Sequence, residues 1–299
     1  MTGEDSERQV DMRAAAPFLL SASSGPPDLT RRFRGGVLEL AFPTTAGAAS
    51  ARVWQLPDGI VRCRVLSSDP ATATARLREL LWIDLDHRPF LSLAEHDELL
   101  RPLRHRLAGM RPVRLATPQH ALVRGVAGQL VRWSDAQRIE RRILYRALPA
   151  AGRGELRLPP GRTELRTLSP AMLERAGLSP ARAVALAHAS AVDWGALEGD
   201  PSTRIAARVR SFRGLGPWTA ASVLLHGFGR LDYGLAGDLG LIRIATRLQG
   251  APATVEDTQR LLEGYGPWQG LASVWLLHHP LAGRHPSPSA ASVPIKLRH

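Results

Sequence analysis

The sequence predicts an α+β protein, a small antiparallel-sheet domain followed by an all-helical one. Two changes of texture carry this. From about residue 18 to 68, short apolar runs alternate with polar residues and are broken by turn formers, as half-buried strands require. Beyond Pro112 the alternation stops and apolar residues recur at three- and four-residue spacing, as packed helices require. With 299 residues, 44% hydrophobic and 22% charged, the chain is long enough for two cores, and a mainly disordered or fibrous chain is excluded. The division expected is a disordered tail over 1–15, an α+β domain over 16–112, a helical domain over 113–282 and a disordered tail over 283–299.

The first tail is polar and alanine-rich. Strands follow over 37–42, 51–54 and 60–65, separated by Gly35-Gly36 and Pro57-Asp58-Gly59. Helices are predicted over 71–81 and 95–107, the latter with Leu99, Leu100, Leu103 and Leu107 on one face. Past Pro112 the helical runs are 118–134, 135–147, 169–176, 179–191, 202–212, 218–227, 239–247, 254–264 and 268–278. Several open at capping residues: Ser179 before Pro180, Asp200 before Pro201, and Thr254 with Asp257 three residues on. The last stretch sets Pro286, Pro288 and Pro294 among serines.

Lysine and arginine number 39 against 27 acids, a formal charge of +12 that favours a polyanionic partner, nucleic acid or an anionic membrane. Every one of those bases except Lys296 is arginine, so lysine-dependent chemistry is almost excluded. The lone cysteine, Cys63, forbids an internal disulfide, an iron–sulfur cluster and a cysteine-built zinc site. No apolar stretch approaches the roughly 20 residues of a membrane span. Glu4, Asp5, Glu7 and Asp11 argue against a secretory leader, so a cytoplasmic location is expected. A membrane-surface role is set aside because no Arg-faced amphipathic helix with exposed Trp or Phe is evident in the sequence.

One segment stands out in the helical half. A helix running into Phe212 meets Arg213-Gly214-Leu215-Gly216, and a second helix opens at Pro217-Trp218-Thr219. Glycines on either side of one apolar residue allow a tight turn with Leu215 as anchor. The N–H groups of the turn and of the new helix start can then receive a phosphate, with Arg208, Arg210 and Arg213 adding charge without reading sequence. Twenty-two residues beyond Gly216 comes Asp238, in Gly237-Asp238-Leu239-Gly240-Leu241 at the start of an apolar helix.

This combination resembles the helix-hairpin-helix DNA glycosylase superfamily, and the sheet-containing first part is similar to the extra domain of its alkylation-repair branch, the 3-methyladenine DNA glycosylase II group. Gly128-Gln129-Leu130-Val131, Gly177-Leu178-Ser179 with Arg182, and the run from Gly266-Pro267-Trp268 to Leu276 resemble further family segments, so the likeness covers roughly 16–282. It implies a monofunctional glycosylase of base excision repair that hydrolyses the N-glycosidic bond of alkylated purines after flipping the base out of duplex DNA. Asp238 is then the catalytic carboxylate that stabilises an oxocarbenium-like sugar, with Asp232 a lower-ranked rival.

The same resemblance makes Gln129 and Leu130 the wedge that fills the gap left by the flipped base. It assigns Arg213, Gly214, Leu215, Gly216 and Thr219 to DNA binding. Trp218, Ser222, Leu239 and Leu277 become the base pocket. The backbone carbonyls of Arg210, Phe212 and Leu215 match positions that ligate a monovalent cation, Na+ or K+, and no other cofactor is implied. The expected partner is damaged double-stranded DNA, bound by a monomer with no membrane involved. Trp218 fills the place of the lyase members' lysine. Two departures stand against the family pattern. Gly237 replaces a Pro before the acid, and Ser222, Leu239 and Leu277 stand where aromatics are usual. Trp275, His278 and His279 are the candidates to compensate. A helix-hairpin-helix DNA-binding protein without catalysis is the alternative.

Overall fold

The computed structural model describes residues 5–129, 131–149 and 155–283. Five strands form one antiparallel sheet: β1 (Ser6–Met12), β2 (Arg31–Arg34), β3 (Val37–Thr44), β4 (Gly47–Gln55) and β5 (Val61–Ser67), in the order β1-β5-β4-β3-β2. Alternation sorts their side chains. Leu38, Leu40 and Phe42 of β3, Ala49, Ala51 and Val53 of β4, and Val61, Cys63 and Val65 of β5 all enter one core.

The disordered tail expected over 1–15 is corrected at Ser6–Met12, which pairs with β5 along its whole length. An edge strand tolerates polar residues on its open face. Met12 enters the core, while Asp11 pairs with Arg62 at 2.6 Å. Residues 284–299, expected to form the other tail, lie outside the described residues.

The helices begin with α1 (Leu20–Ser23) and α2 (Pro70–Leu81), which lays Ala73, Leu77, Leu80 and Leu81 on the sheet and is capped by Asp69. The single helix expected over 95–107 is two, α3 (Arg88–His96) and α4 (Arg101–Leu107). Between them the Asp97 carboxylate accepts the N–H groups of Leu99 and Leu100, giving that backbone an alternative to helix. There follow α5 (Pro118–Ala127), α6 (Trp133–Ala147), α7 (Arg162–Arg166), α8 (Pro170–Ala176), α9 (Pro180–Ala189), α10 (Ser202–Arg210) and α11 (Pro217–Val223). The last three are α12 (Leu239–Gln249), α13 (Val255–Glu263) and α14 (Gln269–Leu276). Thr254 and Asp257 form the expected capping box, whereas Ser179 and Asp200 cap nothing through their side chains. Among the described residues no helix is long and apolar enough to cross a membrane.

The helices bury two cores. One gathers residues of α5, α6 and α8–α11 about Ile143, Trp194 and Val209, and the other joins α3 and α4 to α12–α14 about Phe90 and Trp275. The run of α11 into the π-helical turn Leu224–Phe228 lies on their seam, sending Ala220, Val223 and Leu224 to the first core and Ala221 and Leu225 to the second.

Behind this seam the sheet side meets the helices through buried charge. Arg124 of α5 donates to Glu140 of α6 at 3.0 Å and to Asp28 at 3.0 Å, and His120 lies 3.0 Å from Glu140. Burial alone would raise the Glu140 carboxyl, but Arg124 and His120 outweigh it and hold it at about 2. Asp28, His120 and Glu140 could in principle ligate a metal. Arg124 already supplies the cation there.

Candidate functional site

Asp238 caps α12, so its position follows from local chemistry. Its backbone is extended, its Oδ1 accepts the Gly240 N–H at 2.8 Å, and its carbonyl takes the Ile242 N–H at 2.8 Å. The preceding Gly237 has φ +84° and gives its N–H to Thr258 Oγ1. Proline could do neither, since its ring fixes φ near −65° and removes the N–H. Where the resemblance leads one to expect proline, glycine thus gives Asp238 a backbone approach that proline could not. Gly240 is pressed by Leu277, since a Cβ there would lie 2.7 Å from Leu277 Cδ2.

The second oxygen of Asp238 is met from α11. Trp218 Nε1 donates to Asp238 Oδ2 at 3.1 Å. The far edge of the same indole lies on Gly128, where a Cβ would sit 2.6 Å from Trp218 Cη2, so the ring fits only because that residue has no side chain. Asp238 is 5% exposed. The seam thus holds a carboxylate with an N–H on each oxygen, one from its own helix and one from an aromatic ring of the hairpin's second helix.

The hairpin itself runs from the end of α10 to the start of α11. Gly214 has φ +91°, which an L side chain rarely adopts, and Leu215 is buried in the first core as the anchor. A Cβ at Gly214 or Gly216 would meet nothing, so these backbones border open space. Gly216 has φ −95° and ψ −172°, which any residue adopts; its freedom from a side chain matters toward the outside. Arg213 is exposed beside the turn, and Arg208 stacks on Phe212 at 5.1 Å. The N–H groups of Trp218 and Thr219 lie in the first turn of α11, where a helix supplies no partner. Phe212's carbonyl accepts the Leu215 N–H at 3.0 Å, within the stretch that also carries the carbonyls of Arg210 and Leu215.

Not every predicted site residue is placed as expected. Gln129 turns back to the hairpin, its Nε2 donating to the Gly214 carbonyl at 2.9 Å and to Thr219 Oγ1 at 2.8 Å. It ties the segment after α5 to the turn. Thr219 is 1% exposed, so its side chain is closed to an outside ligand and only its N–H faces the helix start. Leu130 lies outside the described residues. Ser222 is buried toward α5, near Gly125, whereas Leu239 is exposed and Leu277 half-buried where α12 begins. Trp275 is a core residue, edge-on to Phe90 with its N–H on the Met110 carbonyl, and does not line this region. His279 caps the Leu281 N–H and the His278 carbonyl accepts from Arg106. Asp232 is exposed and accepts the Ser202 hydroxyl at 2.7 Å, leaving Asp238 as the acid joined to the hairpin.

Sequence reasoning missed the Trp218–Asp238 bond and the part played by Gly128. Twenty residues separate the first pair, and only the fold reveals their contact. The buried charges behind the site were also missed, although Arg124 four residues after His120 in an apolar helix was a usable signal.

No family model matches the chain. Two curated relatives, from two strains of Mycobacterium tuberculosis and both named "Probable bifunctional transcriptional activator/DNA repair enzyme AlkA", are 29% identical over 239 residues, 74% of this chain. The match takes in 46% of their length, so the chain spans about half of the relatives it matches. Among solved structures, a 3-methyladenine DNA glycosylase from Archaeoglobus fulgidus superposes with a TM-score of 0.77 at 17% identity, over 90% of this chain and 97% of the other. An 8-oxoguanine glycosylase/lyase from Clostridium acetobutylicum, in complex with double-stranded DNA, gives 0.73 at 15% identity over 92% and 96%. The 3-methyladenine DNA glycosylase of Schizosaccharomyces pombe, bound to abasic DNA, gives 0.52 at 21% identity over 63% and 94%.

Proposed function

On the fold of the helix-hairpin-helix DNA glycosylases, and with relatives named as the repair enzyme AlkA, the chain is, we propose, a monofunctional DNA glycosylase that removes alkylated purines of the 3-methyladenine type from duplex DNA. The observation that carries this is the carboxylate of Asp238, buried at a helix start and reached by an indole N–H from the hairpin's own second helix. Two N–H donors, one on each oxygen, fix the aim of this carboxylate, which suits a group that stabilises positive charge.

In the reaction so read, the hairpin holds the phosphate backbone through the N–H groups around Gly214–Thr219, with Arg213 adding charge. The flipped nucleotide brings its C1′ toward Asp238. The C1′–N bond breaks, the base leaves with the electron pair, and the cationic sugar is stabilised by the carboxylate until water adds and loses its proton. Trp218 offers an electron-rich face to a cationic base while its N–H steadies Asp238. Leu239 and Leu277 supply apolar surface beside it, and Leu130 is the wedge. The carbonyls of Arg210, Phe212 and Leu215, hard oxygen donors in one turn, would hold a Na+ or K+ that steadies the turn. No other cofactor is needed, and the protein acts as a monomer on damaged DNA in the cytoplasm.

Incubation with duplexes carrying 3-methyladenine, hypoxanthine or ethenoadenine tests the reading. Release of free 3-methyladenine is expected. Tight duplex binding with no base released from any of the three would leave a helix-hairpin-helix DNA-binding protein without catalysis.

A further inference from the structure

We propose that the outer face of α6 is a second phosphate-gripping surface, which engages duplex DNA beyond the part held by the hairpin. The proposal rests on the glycosylase reading in one respect, that duplex DNA is the ligand. The helix sorts its residues sharply. Ala136, Ile139, Glu140, Ile143 and Leu144 are buried, whereas Ser134, Arg138, Arg141 and Tyr145 fall at spacings of four, three and four residues along the opposite side. Arg132, Arg142 and Arg146 are exposed around that stripe. Among the described residues, the one carboxylate in ion-pair range of these five arginines is Asp135, 3.2 Å from Arg138.

Arg138, Arg142 and Arg146 stand four residues apart, a like-charge row that costs helix stability in the free protein. Such a row is relieved by a polyanion. The sequence alone suggested no Arg-faced helix with exposed aromatics, and α6 corrects that: Trp133 is 50% exposed at its start and Tyr145 64% exposed near its end. Arg157 stacks on the Tyr145 ring at 4.9 Å, adding another cation. Between the first turns of α6 and Pro27 lies a surface groove of about 290 Å³, lined by Ser134, Gln137, Arg138 and Arg141. A hydroxyl, an amide and two guanidinium groups are what a phosphate oxygen accepts from.

Place and length select duplex DNA over a compact anion. Gln129 is bonded to the hairpin turn, and four residues of chain reach at most ~14 Å, so Trp133 starts within that distance of Gln129. The 15 residues of α6 extend ~22 Å. A duplex, with a charge about every 1.7 Å of axis, matches a long row of donors that begins beside its first contact.

The test is duplex affinity across a salt series, read by anisotropy on a 25-base-pair abasic duplex. The variant Arg138→Gln/Arg141→Gln should lose ~10-fold in affinity at low salt, and its slope of log K against log salt should be shallower by about two. Arg8→Gln/Arg101→Gln, which removes the same charge from exposed positions elsewhere, should change the slope far less. An α6 variant indistinguishable from that control overturns the proposal. So does loss of binding to phosphatidylserine vesicles with duplex affinity intact, which would make the face a membrane surface. Gly216→Val separates the two readings. If it weakens duplex binding and the α6 variant does not, the α6 proposal alone falls; wild type without duplex affinity removes both.

Discussion

Glu140 and Arg141 are neighbours in α6 and face opposite worlds. Glu140 looks inward to a junction where Arg124, His120 and Asp28 neutralise one another out of water. Arg141 looks outward from a row of arginines that carries one carboxylate. The side chain that locks the sheet side to the helices is thus the side chain that dresses the surface. The difference lies in who supplies the negative charge. At the junction the protein does, at fixed geometry and at the cost of desolvation. On the surface the surplus of the +12 chain is left for a partner.

The largest effect should come from breaking the inner arrangement. Arg124→Met strands the buried Glu140 without its guanidinium, although Asp28 keeps Arg31 at 3.7 Å, and should cost ~3–5 kcal/mol of unfolding free energy in urea titrations, whereas Arg141→Met should stay within ~0.5 kcal/mol. Equal losses would erase the comparison. Acid should attack the same region. Burial pushes His226 down to about 3, with Arg124 and Arg31 adding to the shift, while the unfolded chain takes up that proton near 6.5. Stability therefore falls as pH drops from 6.5 toward 3. Glu140, at about 2 against an ordinary 4.5, adds a further loss from 4.5 down to about 2. A urea midpoint that is flat between pH 7 and 5 would contradict a neutral buried His226.

Next in size is the chemistry at the seam. Asp238→Asn keeps the helix cap but loses the charge, and base release should fall by at least ~10²-fold with duplex affinity nearly unchanged. Near-full excision by this variant would remove Asp238 from the mechanism.

The hairpin and the helix holding Asp238 were legible because both follow local rules: a Gly-Leu-Gly turn between amphipathic helices, and an acid at an apolar helix start. What was not legible depends on distance in sequence. Trp218 meets Asp238 across twenty residues, and Ser222 turns toward Gly125 because α11 packs on α5. Ser6–Met12 read as a tail because an edge strand draws its order from a partner's backbone more than from its own side chains. The resemblance puts Gln129 in the wedge that fills the gap left by a flipped base, and its two bonds to the hairpin, also distant in sequence, tie it to the turn.

A smaller effect tests that unforeseen contact. Trp218→Phe keeps a ring in the seam and deletes the N–H on Asp238. A hydrogen bond to a charged group is worth ~1.5–3 kcal/mol; with the Gly240 N–H still on Asp238 the low end applies, and kcat should drop about tenfold with KM little changed. A rise in KM alone would mean that the indole acts by stacking on the base and that Asp238 needs no second donor.

The smallest expected effect is none at all, and it turns on arginine not being lysine. Strand cleavage by a glycosylase with lyase activity begins when a neutral amine attacks C1′ and forms a Schiff base. Thirty-eight of the 39 basic residues are arginines, whose guanidinium stays protonated and cannot play that part. The one lysine, Lys296, and the amine of Met1 both lie outside the described residues, and the position beside Asp238 is held by an indole. Borohydride added during turnover should therefore trap no protein–DNA adduct, and the abasic strand should stay intact until alkali cuts it. An adduct lost on Lys296→Ala would give the terminal lysine a catalytic role. One that persists in that variant would point to the Met1 amine. Either adduct would overturn the monofunctional reading.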